Sequence, residues 1–269
     1  MHRNKPCRAP YNRTEVVVMR KNRIILLALC TFFMGFGIAP ASVLANPDMV
    51  ETGRLLAILL DAGRGTVGAN QPLINDASKG DKGFTPEVFE KQLTEKFKAR
   101  SGVDLAGLKA AAVPETAKNL LPELVAASKK TVADSQASIN RSGVGYKGFT
   151  PAHFGTQAAA EFSAKTGIYL KQTTTDGFLR NPNNKADGFE ASMLAKFADA
   201  SYPRQGDKIL SETVEGGKAV RVLLPLFYGK GCLGCHGEPK GEMDVSGYKK
   251  EGAKEGDLGG AVSVKLPIK

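Results

Sequence analysis

The sequence predicts an α+β fold, in which a helical first half precedes a small antiparallel sheet with helices on one face. Three observations predict it. A repeat with helical spacing of apolar residues fills residues 52–170, β-rich segments follow it, and turns rich in glycine separate those segments. A run of helices followed by a run of strands is typical of α+β domains.

The repeat occupies residues 52–105 and 117–170, which align without a gap at a period of 65 residues. Its clearest mark is the string KGFTP, which occurs at 82–86 and again at 147–151. A duplicated supersecondary unit explains this self-similarity. We expect the first copy to bind nothing itself and to serve as a packing or dimerisation element.

Each copy is predicted to contain a helix, a turn, a second helix and the beginning of a strand. Leucines at helical spacing give the first helix one buried face. The second helix has a predicted N-cap at Thr85 or Thr150, with proline in its first turn. Gly102 and Gly167 are the predicted C-terminal stops of these two helices.

The sheet is predicted from the segments that follow the second copy. Strands are expected over 168–173, 208–214, 219–227 and 261–266. A hairpin turn at 215–217 is expected to join the second of these strands to the third. A helix is expected to begin after Asp187. We expect three parts of the chain: a secretory leader at 1–45, a degenerate helical half-repeat at 46–116 and a haem domain at 117–269.

The haem domain is predicted from the segment Cys232 to His236, which has the pattern C-x-x-C-H. Two thiols in this pattern add to the haem vinyl groups as thioethers, and the histidine binds the iron. The alternatives are a redox dithiol, which needs a βαβ pattern, and a zinc site, which needs more Cys or His ligands at matching spacing. The pattern therefore favours one covalently bound haem c, held by Cys232, Cys235 and His236.

The leader is predicted from a basic segment and an apolar segment. Arg20, Lys21 and Arg23 precede an apolar run over 24–39, and small residues suited to cleavage follow at 43–45. An uncleaved membrane anchor is the alternative, which the glycines and the proline in this segment disfavour. Export would place the protein in the periplasm, without a stable membrane span once the leader is removed.

The charged residues do not indicate nucleic-acid binding. Residues 1–45 carry seven basic residues and one acidic residue, so that +4 remains of the net charge of +10. Residues 249–257 alternate in charge and include Glu251, which is typical of a solvated loop. Arg180 and Arg221 are candidates to bind haem propionates, although ordinary ion pairs explain them equally well.

Several motifs occur in a fixed order: KGFTP at 147–151, RNPNN at 180–184, LPL at 224–226, the haem motif, and GDLGG at 256–260. Together they resemble the c-type haem domains of PAS-like fold that were catalogued as a domain of unknown function. That family includes free-standing exported proteins and the periplasmic sensor parts of chemoreceptors and histidine kinases. The resemblance implies a PAS-like antiparallel sheet and a homodimer formed through the opening helix. The extra half-copy at 46–116 departs from the family pattern.

The second axial ligand of the iron is predicted to be His153, Met193, Met243 or water. His153 is preferred because it is the only other histidine after the leader, and its counterpart in the first copy is Val88. A histidine at the start of a helix is also a common surface residue. Met193 lies in a predicted apolar helix stripe, for which core packing is the ordinary explanation.

The function favoured by the sequence is electron transfer with a periplasmic redox partner. The alternative is a module that senses redox state or gas, and it would need a separate signalling partner because the chain has no kinase or methyl-accepting part. An enzyme such as a peroxidase is not expected, since no acid–base pair is placed near a second haem face.

Overall fold

The computed structural model describes residues 46–268, so the predicted leader at 1–45 lies outside the described residues. The first copy of the repeat forms helices α1 (Pro47–Ala69), α2 (Gln71–Ile74) and α3 (Pro86–Ser101). The second copy forms α4 (Glu115–Asp134), α5 (Gln136–Ile139) and α6 (Pro151–Thr166). Helices α2 and α5, like α3 and α6, are related by the 65-residue period, which confirms the repeat.

The predicted helix ends are confirmed. The Thr85 and Thr150 hydroxyls accept hydrogen bonds from the third residue of α3 and α6, so both act as N-caps. Both helices end at glycines, Gly102 and Gly167, in the left-handed conformation with φ of 76° and 72°. Glycine adopts this conformation at little cost, and it stops each helix at the same place.

The sheet has four antiparallel strands in the order β1-β4-β3-β2. Its strands are β1 (Tyr169–Thr173), β2 (Leu210–Val214), β3 (Ala219–Phe227) and β4 (Leu258–Pro267). Strands β2 and β3 form the expected hairpin, and β3 pairs with β4 so that Val222 stands opposite Val264. Two further α-helices are α7 (Gly188–Ala198) and the one-turn α8 (Leu233–His236). The predicted α+β class is confirmed.

Helix α1 lies in the centre of the core. It packs on α3, α4 and α6 and also on strands β3 and β4. All six residues of 55–60 are fully buried, which is typical of a helix that is covered on every side. The helices of the repeat therefore occupy one face of the sheet, through α1 and α6.

The opposite face of the sheet is covered by α7, whose Met193, Leu194 and Phe197 pack with Leu223 and Ala261. The residues from 46 to 268 belong to one compact unit. The boundary expected at 116 thus separates two stretches of sequence that share one core. Among helices in the described range, none is both long enough and apolar enough to cross a bilayer.

Candidate functional site

The haem motif lies in a single helical turn just after strand β3. A 3₁₀ turn over Lys230–Cys232 leads directly into α8, which ends at His236. Residues three and four positions apart on a helix project from the same side, so Cys232, Cys235 and His236 present their side chains together. Both thiols are free and partly exposed. Donors of this kind and spacing fit a covalently attached haem.

The imidazole of His236 is fixed on two sides. Its Nδ1 lies 2.9 Å from Oε2 of Glu251, and its ring stacks on Tyr228 with 4.8 Å between centroids and 22° between planes. Burial lowers the pKa of His236, although the Glu251 carboxylate opposes this effect. A neutral ring that donates Nδ1–H to Glu251 keeps the Nε2 lone pair available, as an iron ligand requires.

Arg180, from the RNPNN string, ties the motif to the loop that follows it. Its guanidinium binds Glu251 at 2.7 Å, Asp244 at 2.6 Å and the Cys235 carbonyl oxygen at 2.9 Å. Burial acts to raise the pKa of Asp244, but hydrogen bonds from Ser246 and Arg180 outweigh it and hold that pKa well below its usual range. Arg180 is therefore bound to protein groups, and the ion-pair explanation of this residue is confirmed.

The GDLGG string has a packing role beside the motif. A Cβ on Gly259 would lie 2.7 Å from the Tyr228 ring, so only glycine lets that ring lie flat against β4. Gly260 has φ of 150°, and a Cβ there would lie 2.3 Å from the Thr173 carbonyl oxygen. Phe178 packs edge-on against Tyr228 at 5.6 Å. Gly259 thus positions the ring on which His236 stacks, whereas Gly260 lets β4 lie close to Thr173 on β1.

Two segments of the repeat approach the haem motif. Tyr146, just before α6, has a pKa raised by burial, and the Ser246 hydroxyl acts in the opposite direction. On α1, Arg64 pairs with Asp61 at 2.6 Å and lies against Gly155 of α6. The Arg64 Nε atom is buried and has no hydrogen-bond partner within the described residues. Burial raises the pKa of Tyr228 and the charge of Arg64 acts in the opposite direction, so both copies contribute to the region next to the motif.

The candidates for the second axial ligand lie in three different environments. His153 is exposed at the start of α6, and its ring packs edge-on against Phe149 at 6.0 Å. Met193 is buried in the apolar cluster of α7, as core packing predicts. Met243 is 57% exposed in the loop after the motif. The assignment of His153 stays a prediction.

Arg221 lies in a buried network of polar side chains between the N-terminus of α7 and the sheet. It binds Asp187 at 2.7 Å, Glu190 at 3.0 Å and the Ser263 hydroxyl at 3.0 Å. Its guanidinium also lies over the Phe189 ring at 4.6 Å. The sheet ion pair is thus the correct explanation of Arg221, and the network anchors the N-terminus of α7.

Sequence reasoning missed three residues of the site. Glu251 was expected in a solvated loop, but it is largely buried and is the partner of His236. Tyr228 and Asp244 carried no motif that marked them. Their contacts join residues 8 to 71 positions apart along the chain, which no local pattern reveals. Within residues 46–268, no group of three or more His, Cys, Asp or Glu side chains converges as a bare metal site.

Comparisons with known proteins place the chain in a family. The Tll0287-like family, described as Tll0287, matches residues 108–267, which is more than half of the chain. The crystal structure of the cyanobacterial heme-protein Tll0287 is 18% identical, covers 59% of this chain and 98% of that chain, and superposes with a TM-score of 0.41. No curated protein matches. The family match confirms the resemblance drawn from the sequence motifs, and the chain belongs to the Tll0287-like family.

Proposed function

We propose that this protein is exported and carries one haem c, with which it transfers single electrons in the periplasm. The observation that carries the proposal is the geometry of the C-x-x-C-H turn, in which the His236 Nδ1 is held by Glu251 at 2.9 Å. The solved relative is named a heme-protein, which agrees with this proposal. When bound, the haem supplies an iron that exchanges one electron at a time.

The side chains of the site would each have a defined task. Cys232 and Cys235 would hold the haem through thioethers, and His236 would bind the iron. Glu251 keeps the His236 ring in the right tautomer, and stacking on Tyr228 restricts its rotation. Arg180 binds both Glu251 and the Cys235 carbonyl oxygen, which joins the ligand and its partner in one rigid unit.

His153 is our candidate for the second axial ligand. Helix α6 lies beside the RNPNN string, since the Thr156 hydroxyl donates to Asn184 Oδ1 at 3.1 Å, and Arg180 of that string binds the Cys235 carbonyl oxygen at 2.9 Å. Two imidazoles on the iron would produce a low-spin haem of rather low potential that resists carbon monoxide, which favours electron transfer over gas binding. The partner would then be a periplasmic redox protein.

The proposal is tested on protein purified from the periplasm, by haem staining of denaturing gels and by absorption spectra with and without carbon monoxide. Covalent haem is expected in the wild type and should be lost when both Cys232 and Cys235 are replaced by Ala. His236→Ala should keep the covalent haem and lose the low-spin spectrum.

The matched variant His153→Ala should make the haem accessible to carbon monoxide without reducing haem content. An unchanged low-spin spectrum in that variant would exclude His153 as the ligand. A wild type that binds carbon monoxide at once would favour the sensing alternative, and haem staining in the double cysteine variant would contradict the covalent site.

A further inference from the structure

The hydrogen bonds between the two copies of the repeat occur in matched pairs. Gln71 Nε2 donates to the Phe149 carbonyl oxygen at 2.8 Å. Its counterpart 65 residues later, Gln136, donates in the same way to the Phe84 carbonyl oxygen at 3.0 Å. Each copy thus holds the KGFTP segment of the other copy.

A second matched pair lies next to the first. The Asn75 Oδ1 accepts a hydrogen bond from the backbone N–H of Lys147 at 3.0 Å. Its counterpart Asn140 accepts one from the backbone N–H of Lys82 at 2.9 Å. When residue i contacts residue j of a partner and j contacts i in return, the interface has two-fold symmetry.

The axis of this symmetry passes between Phe89 and Phe154, which are counterparts of each other. Their ring centroids lie 5.1 Å apart, so each of these phenylalanines contacts its own counterpart in the other copy. On either side, Phe84 packs edge-on against Phe89 at 6.1 Å, and Phe149 packs edge-on against Phe154 at 6.4 Å. Only an axis between the copies brings equivalent residues into contact in this way.

The symmetry is broken where the sheet begins. The sheet follows the second copy in the sequence. Of the two equivalent helices α1 and α4, however, it is α1 of the first copy that packs on β3 and β4. Residues 57, 58 and 60 of α1 are fully buried, whereas their counterparts Pro122, Glu123 and Val125 on α4 are exposed or half-buried. The helix that covers the sheet has Ile58 at a position where the other helix has Glu123, so the sequence indicates which of the two helices is buried.

We infer that this chain is a two-fold dimer folded within one polypeptide. The first copy fills the place of a second subunit, and its α1 completes the core of the sheet that carries the haem motif. The self-complementary surface of the repeat is occupied inside the chain, so the protein is a monomer. This replaces the homodimer expected from the family resemblance, and it does not depend on haem binding.

The first test uses the full chain with a specific protease site inserted between Ala111 and Ala112, in the linker between the copies. Light scattering should show a monomer before cleavage. After cleavage under native conditions the two fragments should elute together and separate only in denaturant. A stable dimer of the uncut protein, or separation of the cut fragments on a native column, would overturn the inference.

The second test measures the dissociation constant of the fragments in the cut protein. Gln71→Ala and Gln136→Ala should each raise it about fivefold, since each removes one inter-copy hydrogen bond. The control is Gln157→Ala, an exposed glutamine on α6 that should leave it unchanged. An effect of only one of the two matched variants would show that the symmetric pair is not equivalent, and would contradict the inference.

Discussion

At the residue scale, the behaviour of the site depends on Glu251, which binds both His236 and Arg180. A carboxylate that accepts the Nδ1–H of an axial histidine makes that histidine a stronger electron donor to the metal. Glu251→Gln keeps a similar shape and removes the charge. In the proposed haem site, it should leave the thioethers proposed at Cys232 and Cys235 in place and weaken the bond from His236 to the iron.

The expected result is a more positive reduction potential, because a weaker donor stabilises the ferric iron less. Release of His236 from the iron should become about tenfold more favourable. Spectroelectrochemical titration measures the potential, with Glu255→Gln as the control, since Glu255 is exposed in the same loop. Equal potentials in the two variants would refute the role of Glu251.

Arg221 is the second residue on which a prediction depends. Glu190, fully buried, binds Arg221 at 3.0 Å and Lys171 at 2.9 Å. Arg221→Met would leave the Glu190 carboxylate buried with fewer partners, which should lower the free energy of unfolding by about 3 kcal/mol. Lys196→Met is the control and should cost at most about 1 kcal/mol, since its pair with Glu212 is exposed. Urea unfolding at neutral pH measures both.

The same network predicts a pH dependence. Burial raises the pKa of Glu190, but hydrogen bonds from the Asp187 backbone, Lys171 and Tyr169 outweigh it and leave the pKa lowered. A lowered pKa stabilises the fold above the pKa of the unfolded chain, and that stability is lost as the pH falls. The destabilisation caused by Arg221→Met should therefore shrink below about pH 4. A constant difference between the two proteins from pH 7 to pH 3 would contradict this.

At the scale of elements, the close contact of α1 with the sheet depends on Gly53. A Cβ there would lie 2.6 Å from Cγ2 of Val222 on β3. Alanine favours a helix over glycine by about 1 kcal/mol, but overpacking a core costs about 1–3 kcal/mol. Gly53→Ala should therefore destabilise the protein on balance.

The matched control lies in the same helix. Gly65 is exposed, and a Cβ there would meet nothing closer than 4.0 Å. Gly65→Ala should raise the free energy of unfolding by up to about 1 kcal/mol. Thermal unfolding of both variants measures the difference, and stabilisation by Gly53→Ala would show that α1 does not press on the sheet.

At the scale of the whole molecule, the first copy of the repeat is part of the core that supports the haem motif. Removing residues 46–116 would expose the apolar face of β3 and β4 that α1 covers, including Val222 and Leu266. Exposed apolar sheet surfaces associate. A secreted fragment of 117–269 should therefore aggregate or fail to accumulate with haem.

The measurement is the amount of soluble, haem-stained protein relative to the full chain. The fragment, expressed together with a separate chain of 46–111, should recover solubility, because the missing helix is then supplied. A soluble fragment that takes up haem on its own would show that 117–269 is an independent domain, as the sequence alone suggests.

The sequence by itself determined the features whose causes are local. The helix caps at Thr85 and Thr150 are confirmed, because each depends on residues within one or two turns of the chain. The 65-residue period is confirmed as well, because the same residues recur in the same elements of the two copies. The C-x-x-C-H turn belongs to the same class, since its spacing places the two thiols and the imidazole on one side of a single helical turn.

The tertiary structure alone decided which groups surround that turn and which copy covers the sheet. Glu251 and Arg180 reach the haem motif from 15 and 55 residues away, and α1 reaches the sheet across the whole second copy. Such contacts depend on how the two copies pair about their common axis. That pairing depends on the apolar surface that is buried over the whole folded molecule. This sum cannot be deduced from any single segment of the sequence.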